Sequence, residues 1–392
     1  ANSDTQADDH FNTVLYTGDG TNTRSITGTG FLPDLVWIKS RTYTDSHSLT
    51  DSSRGVNKWL ISNTTAAETT NVNGAVNSFN SDGFTVSGNY DTNRDTKTFV
   101  AWNWKANGGT TSSNTDGSIT STVQANTDAG FSIVTYTGTG SNATVGHGLG
   151  VAPSMVIVKQ RSTTTSWAVY HSGLTSAAYV INLNLTSAES GANTVFWNST
   201  APTSTVFSLG TGTDANASGA TAVAYVFADV EGYSKFGVYT GNGNADGSFV
   251  YVGFDISFIM IKDTTVAGHN WFISDSVRDI DNPVSQILYP STSGTEDTAI
   301  YVDFVSNGFK QRNNYSSVGN KANSGGKDWV VLDSSRDLYN PEQQYLLANT
   351  SGAEGNIGAL CDFLSNGFKL RTTSANNLNG TSIIYMAFAE TP

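Results

Sequence analysis

The chain has 392 residues, of which 38% are hydrophobic and only 14% are charged, and its formal net charge is −13. This acidic balance argues against a nucleic-acid partner, because phosphate binding requires clustered lysine and arginine. The apolar stretches are far shorter than the ~20 residues that span a bilayer, so we expect no membrane span. The single cysteine, Cys361, excludes an internal disulfide framework. Abundant small polar and aromatic residues are typical of β-strands joined by turns.

The first predicted elements recur three times along the chain. A Tyr-Thr-Gly phrase is followed by a short apolar strand that ends in lysine, and the spacing from tyrosine to lysine is 23 residues in every copy. The three pairs are Tyr16 and Lys39, Tyr136 and Lys159, and Tyr239 and Lys262. A constant spacing across three copies indicates internal repeats, which determine the architecture.

The next recurring feature is an Asp-Ser-x-Arg motif. It occurs as "DSSR" at 51–54, "DSVR" at 275–278 and "DSSR" at 333–336, whereas the second repeat has "HSGL" at 171–174. Each unit then continues through a Gly-containing hairpin signal to an aromatic closing strand, such as "TFVAWNWKA" at 98–106. We interpret the motif as a turn that follows a strand.

These repeats predict an all-β protein of tandem antiparallel β-sandwich, jelly-roll-like domains. The first unit is predicted at 1–107 and the second at 130–231, joined by a Gly/Ser/Thr-rich linker at 108–129. The remainder, 232–392, is predicted to be a third, enlarged unit, because its middle section occurs twice. This part is either one enlarged sandwich or two half-units that complete each other.

Several phrases resemble modules of tail-fibre and other virion structural proteins of marine bacteriophages, including cyanophages. These phrases are "GFLPDLVWIKSR", "HSLTDSSRG", "SDGFTVSG", "VAWNWKA" and "FLSNGFKLR" with "YMAFAE". The resemblance covers nearly the whole chain. It implies sandwiches of concanavalin A or laminin G type.

The resemblance also implies a role. We expect a non-enzymatic virion structural protein, a tail fibre or surface decoration, located in the virion or outside the cell. Its expected partners are further copies of itself, as a homo-trimer, other virion proteins, and host surface polysaccharide. Two alternatives remain: a carbohydrate-binding adhesin module and a polysaccharide depolymerase.

The Asp-Ser-x-Arg motif admits a structural and a binding interpretation. An aspartate after a strand accepts backbone N–H bonds in an Asx turn, and an arginine three residues later can pair with that carboxylate or with loop carbonyls. A glycan platform would instead use the motif arginines together with the ring four residues before each aspartate. The candidate residues for that platform are Trp271, Trp329, Arg278, Arg336, His47 and Arg54.

Catalysis is disfavoured at the same motifs. A Ser-His-Asp mechanism needs an imidazole base, and the copies share none. Glycoside hydrolysis needs two carboxylates that flank a cleft, and the three nominated acids, Asp34, Asp51 and Asp82, are not all repeated in the other units. We therefore assign no catalytic residue.

No cofactor is expected, because the histidines lack metal-ligand spacing. Calcium is the possible exception. The segments 89–95 and 244–248 carry Asp and Asn side chains that could present oxygen ligands, although Asx turns alone are the simpler explanation of both segments.

Overall fold

The computed structural model describes residues 7–88, 90–191, 194–241 and 247–312, and the backbone of five strands between 330 and 389. This part of the chain is almost entirely β-structure, with a 3-10 turn at Ala7–Asp9 and one short helix, α1, at Thr213–Asn216. The all-β prediction is confirmed. In the described ranges, no helix is long and apolar enough to cross a membrane.

The first unit has a main sheet and a smaller second sheet. Its strands are β1 (Phe11–Thr17), β2 (Arg24–Thr27), β3 (Leu35–Ser40), β4 (Ser48–Asp51), β5 (Lys58–Trp59), β6 (Thr69–Thr70), β7 (Ser78–Asn80), β8 (Gly83–Val86) and β9 (Thr98–Trp104). The main sheet has the order β1-β9-β3-β4 and the second sheet β2-β8-β7, while β5 pairs with β6.

The second unit repeats this plan with two added strands at its start. Its strands are β10 (Ser112–Asn114), β11 (Ser121–Asn126), β12 (Phe131–Thr137), β13 (Ala143–Gly146), β14 (Met155–Gln160), β15 (Ala168–His171), β16 (Ile181–Asn182), β17 (Val206–Leu209) and β18 (Thr221–Phe227). The main sheet has the order β10-β11-β12-β18-β14-β15-β16, and β13 pairs with β17.

The third unit encloses the duplicated middle section. Its strands are β19 (Ser234–Thr240), β20 (Phe249–Tyr251), β21 (Ile256–Asp263), β22 (Trp271–Asp275), β23 (Val284–Ile287), β24 (Asp297–Val305), β25 (Gly308–Gln311) and the closing strand β30 (Ser382–Ala389). The main sheet is β19-β30-β21-β22 and the second is β20-β25-β24-β23. Between β25 and β30, a separate sheet is formed by β26 (Val330–Val331), β27 (Glu342–Leu347), β28 (Gly355–Leu364) and β29 (Gly367–Leu370).

The three main sheets share one strand order and one register. In each, the closing strand lies between the opening strand and the apolar strand that contains the repeated lysine. Trp102 pairs with Trp37 in the first unit, and Tyr225 pairs with Ile157 at the same position of the second. The register partner in the third unit is Met386, opposite Met260. Residues can therefore be compared across units by position.

The apolar strands are buried on both faces because each main sheet is covered on both sides. All residues of β3, β14 and β21 are buried. In β3, Val36 and Ile38 belong to a cluster with the second sheet of their own unit, whereas Leu35 and Trp37 belong to a larger cluster. This two-sided burial explains why these strands are continuously hydrophobic rather than alternating.

The larger cluster contains residues of all three units. Trp104 of the first unit lies 6.5 Å from Phe227 of the second and 5.7 Å from Phe258 of the third, measured between ring centroids. The first and second units also enclose clusters of their own, each between the main sheet and the second sheet. In addition, the main sheets pack on a shared core, which lies between the units.

The segment predicted to be a Gly/Ser/Thr-rich linker, 108–129, contains β10 and β11, and β11 extends the main sheet of the second unit. The preceding turn is anchored by two buried polar side chains. The Asp34 carboxylate accepts the backbone N–H groups of Ala106, Gly108 and Gly109 at 2.7–2.9 Å. The Gln124 amide oxygen accepts a second bond from Gly109 at 2.7 Å. Composition alone did not reveal these anchors or the two strands within the predicted linker.

Candidate functional site

The first Asp-Ser-x-Arg motif closes the turn after β4. The Arg54 backbone N–H donates to Asp51 Oδ1 at 2.8 Å, and the Arg54 Nε donates to Asp51 Oδ2. The guanidinium also donates to the Leu49 carbonyl oxygen at 2.9 Å. Both side chains are fully buried. The motif therefore forms both interactions of the structural interpretation, the Asx turn and the arginine pair.

The same turn is also bound by residues of the second unit. The Tyr225 hydroxyl donates to Asp51 Oδ2 at 2.8 Å, and Arg54 donates to Glu68 at 2.8 Å. Glu68 in turn accepts two bonds from Arg161 of the second unit, at 3.0 and 2.9 Å. Burial disfavours the Arg54 charge, but the Asp51 and Glu68 carboxylates and Tyr225 outweigh it, so the Arg54 pKa is raised.

The third unit builds the same arrangement against the first. Arg278 donates to Asp275 at 2.5 Å and to Glu296 at 2.9 Å. The Trp102 indole N–H of the first unit donates to Asp275 at 3.0 Å, and Arg41 of the first unit pairs with Glu296 at 2.9 Å. Trp102 occupies the position of Tyr225, and Arg41 that of Arg161. The motif is thus used twice in equivalent interfaces between units.

A backbone contact completes a cyclic pattern of three interfaces. The backbone N–H of Glu68 donates to the carbonyl of Arg161, that of Glu189 to Thr264, and that of Glu296 to Arg41, at 2.7, 2.8 and 2.8 Å. Each accepting residue lies two positions after a repeated lysine. The first unit therefore contacts the second, the second contacts the third, and the third contacts the first, which gives the described part of the chain a pseudo-threefold arrangement.

The interface between the second and third units lacks the ionic set. His171 and Leu174 stand at the positions of Asp51 and Arg54, and Thr264 stands at the position of Arg161. Leu174 belongs to the shared core, and the His171 ring lies 6.4 Å from the ring of Phe236 in the third unit. All three substitutions remove a charged partner of the ionic set: the motif aspartate, the motif arginine and the arginine contributed by the neighbouring unit. Their joint replacement is expected if the three side chains form one interface.

The ring four residues before each motif also crosses an interface. His47 Nε2 lies 3.0 Å from the Tyr289 carbonyl oxygen of the third unit. Trp167 donates to the Ile61 carbonyl of the first unit at 3.0 Å, and Trp271 donates to the Asn182 carbonyl of the second at 2.9 Å. Three equivalent rings therefore bind three equivalent carbonyls. Burial lowers the His47 pKa well below its usual value.

The predicted glycan platform does not form at the described positions. The exposed fraction is 1% for Trp271 and 0% for His47, and it is 6% for both Arg54 and Arg278. A sugar ring requires an accessible aromatic face, and these side chains face other units instead. Trp329 and Arg336 lie outside the residues whose side chains are described.

The sequence of the chain matches a family model described as a domain of unknown function, DUF7483, over residues 6–326 and again over 318–392. The chain belongs to the DUF7483 family. No curated protein and no solved structure matches it. The second DUF7483 match covers the second copy of the middle section, which contains the motif at 333–336, and the closing strand.

Sequence reasoning missed the acid and the second arginine of each ionic interface. The carboxylates of Glu68 and Glu296 each accept hydrogen bonds from the motif arginine and from the arginine of the neighbouring unit. In the sequence, a glutamate that comes directly after a small residue follows each motif position. The signal available in the sequence was this recurrence, at Glu68, Glu189, Glu296 and Glu354. Glu354 is among the residues whose side chains are not described.

The repeated lysines form a second equivalent set. Each is fully buried and donates to the carbonyl of the following residue, at 2.7–2.8 Å. Burial lowers the pKa of Lys39, Lys159 and Lys262 to about 8. These lysines donate hydrogen bonds to carbonyl groups at the end of each apolar strand. Burial removes water from their ammonium groups, which disfavours the charged form.

The nominated carboxylates are also used in structural contacts. Besides Asp34 and Asp51, Asp82 accepts the backbone N–H of Gly30 at 2.8 Å. In the described ranges, no group of three or more His, Cys, Asp or Glu side chains is arranged to hold a metal ion. Of the calcium candidates, Asp91 accepts the Ser46 N–H at 3.1 Å, whereas 244–246 lie outside the described residues. Calcium binding stays a hypothesis.

Proposed function

We propose that this protein is a non-enzymatic structural protein of a virion exterior, as a tail fibre or surface decoration. The observation that carries the proposal is the use of the Asp-Ser-x-Arg motif in buried interfaces. The charged groups of the motif, the Asp51–Arg54 and Asp275–Arg278 pairs, are buried at those turns and join units, so they are not accessible to a substrate.

The resemblance to phage virion modules supports a place on the virion. The shared core supports a structural role, in which the protein bears mechanical load. A chain whose three sheets pack on one core transmits load between units without a flexible joint. Its net charge of −13 keeps such a surface soluble in salt water. We further propose that the protein assembles as a homo-trimer with other virion proteins.

The test is to locate the protein on purified particles. We expect quantitative mass spectrometry to find it at a fixed copy number per particle, in a multiple of three, and antibody labelling to place it on the exterior. Its absence from purified particles would overturn the proposal. The depolymerase alternative predicts release of reducing sugars from host polysaccharide by the purified protein, and we expect none.

A further inference from the structure

The strand β20 differs from its equivalents in the other two units. Ile26, Val145 and Val250 are buried at matching positions of β2, β13 and β20, each paired with a buried phenylalanine. The residues on either side of them point to the opposite, outer face. On that face the three units diverge.

The outer face is polar in the first unit, covered in the second and aromatic in the third. The first unit has Ser25 and Thr27 there, both exposed. In the second unit the preceding chain covers this face, because a Cβ atom placed on Gly146 would lie 1.7 Å from the Asn114 side-chain oxygen. The third unit instead has Phe249 and Tyr251, which are 50% and 66% exposed.

Each of these rings lies against a glycine. A Cβ atom placed on Gly308 would lie 3.1 Å from the Phe249 ring, and one placed on Gly253 would lie 3.8 Å from a ring carbon of Tyr251. The glycines allow the rings to lie close to the backbone on one side while the other side remains accessible. Two side chains at positions i and i+2 of a strand are about 7 Å apart on one face.

The chemistry around the rings is polar. Lys310 pairs with Phe249 across the sheet, and Asp303 pairs with Lys310 on the next strand. Arg312, whose side chain is 41% exposed, lies 3.2 Å from Asp303. The surface is therefore a pair of accessible rings beside alternating charges of both signs.

We propose that Phe249 and Tyr251 form a stacking platform for neutral sugar rings of a host-surface glycan. A pyranose has an apolar C–H face of the size of one aromatic ring and a rim of hydroxyl groups, which Lys310, Asp303 and Arg312 are placed to bind. The mixed charges favour a neutral sugar over an anionic polymer. This inference rests on the proposed exterior role and names the partner class for that role.

Size argues against a protein partner at this platform. A stable protein interface buries about 800 Å² on each side. Two aromatic side chains supply at most about 300–500 Å², and charged residues border them. The platform matches one or two sugar rings.

The test compares the purified full chain with the double variant Phe249→Ser, Tyr251→Thr on an array of neutral hexose oligosaccharides and bacterial surface polysaccharides. The first unit carries Ser25 and Thr27 at these positions, so the double variant should fold. Tyr90→Ser, which removes a 45% exposed tyrosine of the first unit, is the matched control. Near-UV circular dichroism verifies folding of both variants.

We expect the wild type and Tyr90→Ser to bind at least one neutral glycan equally, and the double variant to bind it about tenfold or more weakly. Three results would overturn the inference: no glycan binding by the wild type, equal binding by the double variant, or loss of self-association in the double variant. Glycan binding and particle location are measured separately, so either proposal can fail alone.

Discussion

At the scale of residues, the repeated motif is an ionic connector between units. Asp51 receives bonds from Arg54 and from Tyr225, and Glu68 joins Arg54 to Arg161. A fully buried carboxylate is tolerated only when such partners satisfy it. Removing one partner should therefore cost more than the same change at the surface.

We expect Arg54→Met to lower the free energy of unfolding by about 3–5 kcal/mol, because it leaves the Asp51 carboxylate buried without its charge partner. Arg24→Met removes the partly exposed pair with Asp19 and should cost less than about 1 kcal/mol. Urea denaturation followed by fluorescence measures both. Equal effects of the two substitutions would contradict the burial argument.

The buried lysines predict a pH dependence. Because folding lowers the Lys159 pKa to about 8 from 10.5, the unfolded chain binds more protons between these values. The Lys159 contribution to stability therefore rises as pH increases through this window. We expect the wild type to gain stability relative to Lys159→Met between pH 7.5 and 9.5, by urea denaturation. The partly exposed Lys235→Met is the control, and an unchanged difference for Lys159→Met across this range would be evidence against its burial as a charged group.

At the scale of elements, the repeats predicted which segments form strands, but not how the sheets of different units pack. The spacing from Tyr16 to Lys39 predicted the opening strand and the apolar strand. This was possible because strands and turns depend on residues that are close together in the sequence. The interface positions of Glu68 and Arg161 were not predictable, since contacts between units depend on how sheets pack. The ring of Trp271 was expected at the surface because it lies at a strand end beside an Asp-Ser-x-Arg turn, yet its indole N–H binds a carbonyl group of the second unit.

The turn after β9 is the element where sequence and structure differ most. We expect Asp34→Ala to lower the free energy of unfolding by about 2–4 kcal/mol, because three backbone N–H groups lose their acceptor. It should also speed proteolytic cleavage within 106–110, whereas Asp116→Ala, an exposed change nearby, should not. Limited proteolysis with mass spectrometry measures this. Rapid cleavage of the wild type at the same turn would mean that these bonds do not hold the turn, and that the segment is a flexible connection or an exposed loop.

At the scale of the whole molecule, we expect the three units to unfold as one cooperative body. The shared core contains tryptophans of every unit, including Trp102, Trp167 and Trp271. Two interfaces that contain the ionic set of the motif, and one in which His171 and Leu174 replace it, close the cycle. If each unit were independent, a motif substitution would destabilise only its own unit.

The most direct test is hydrogen exchange of the central strands in wild type and Arg54→Met, followed by mass spectrometry in mild denaturant. The account predicts that the substitution speeds exchange alike in β9, β18 and β21, which belong to different units, because they lose protection in one global opening. Faster exchange confined to the strands of the first unit would contradict the shared core and would indicate that the three units unfold independently.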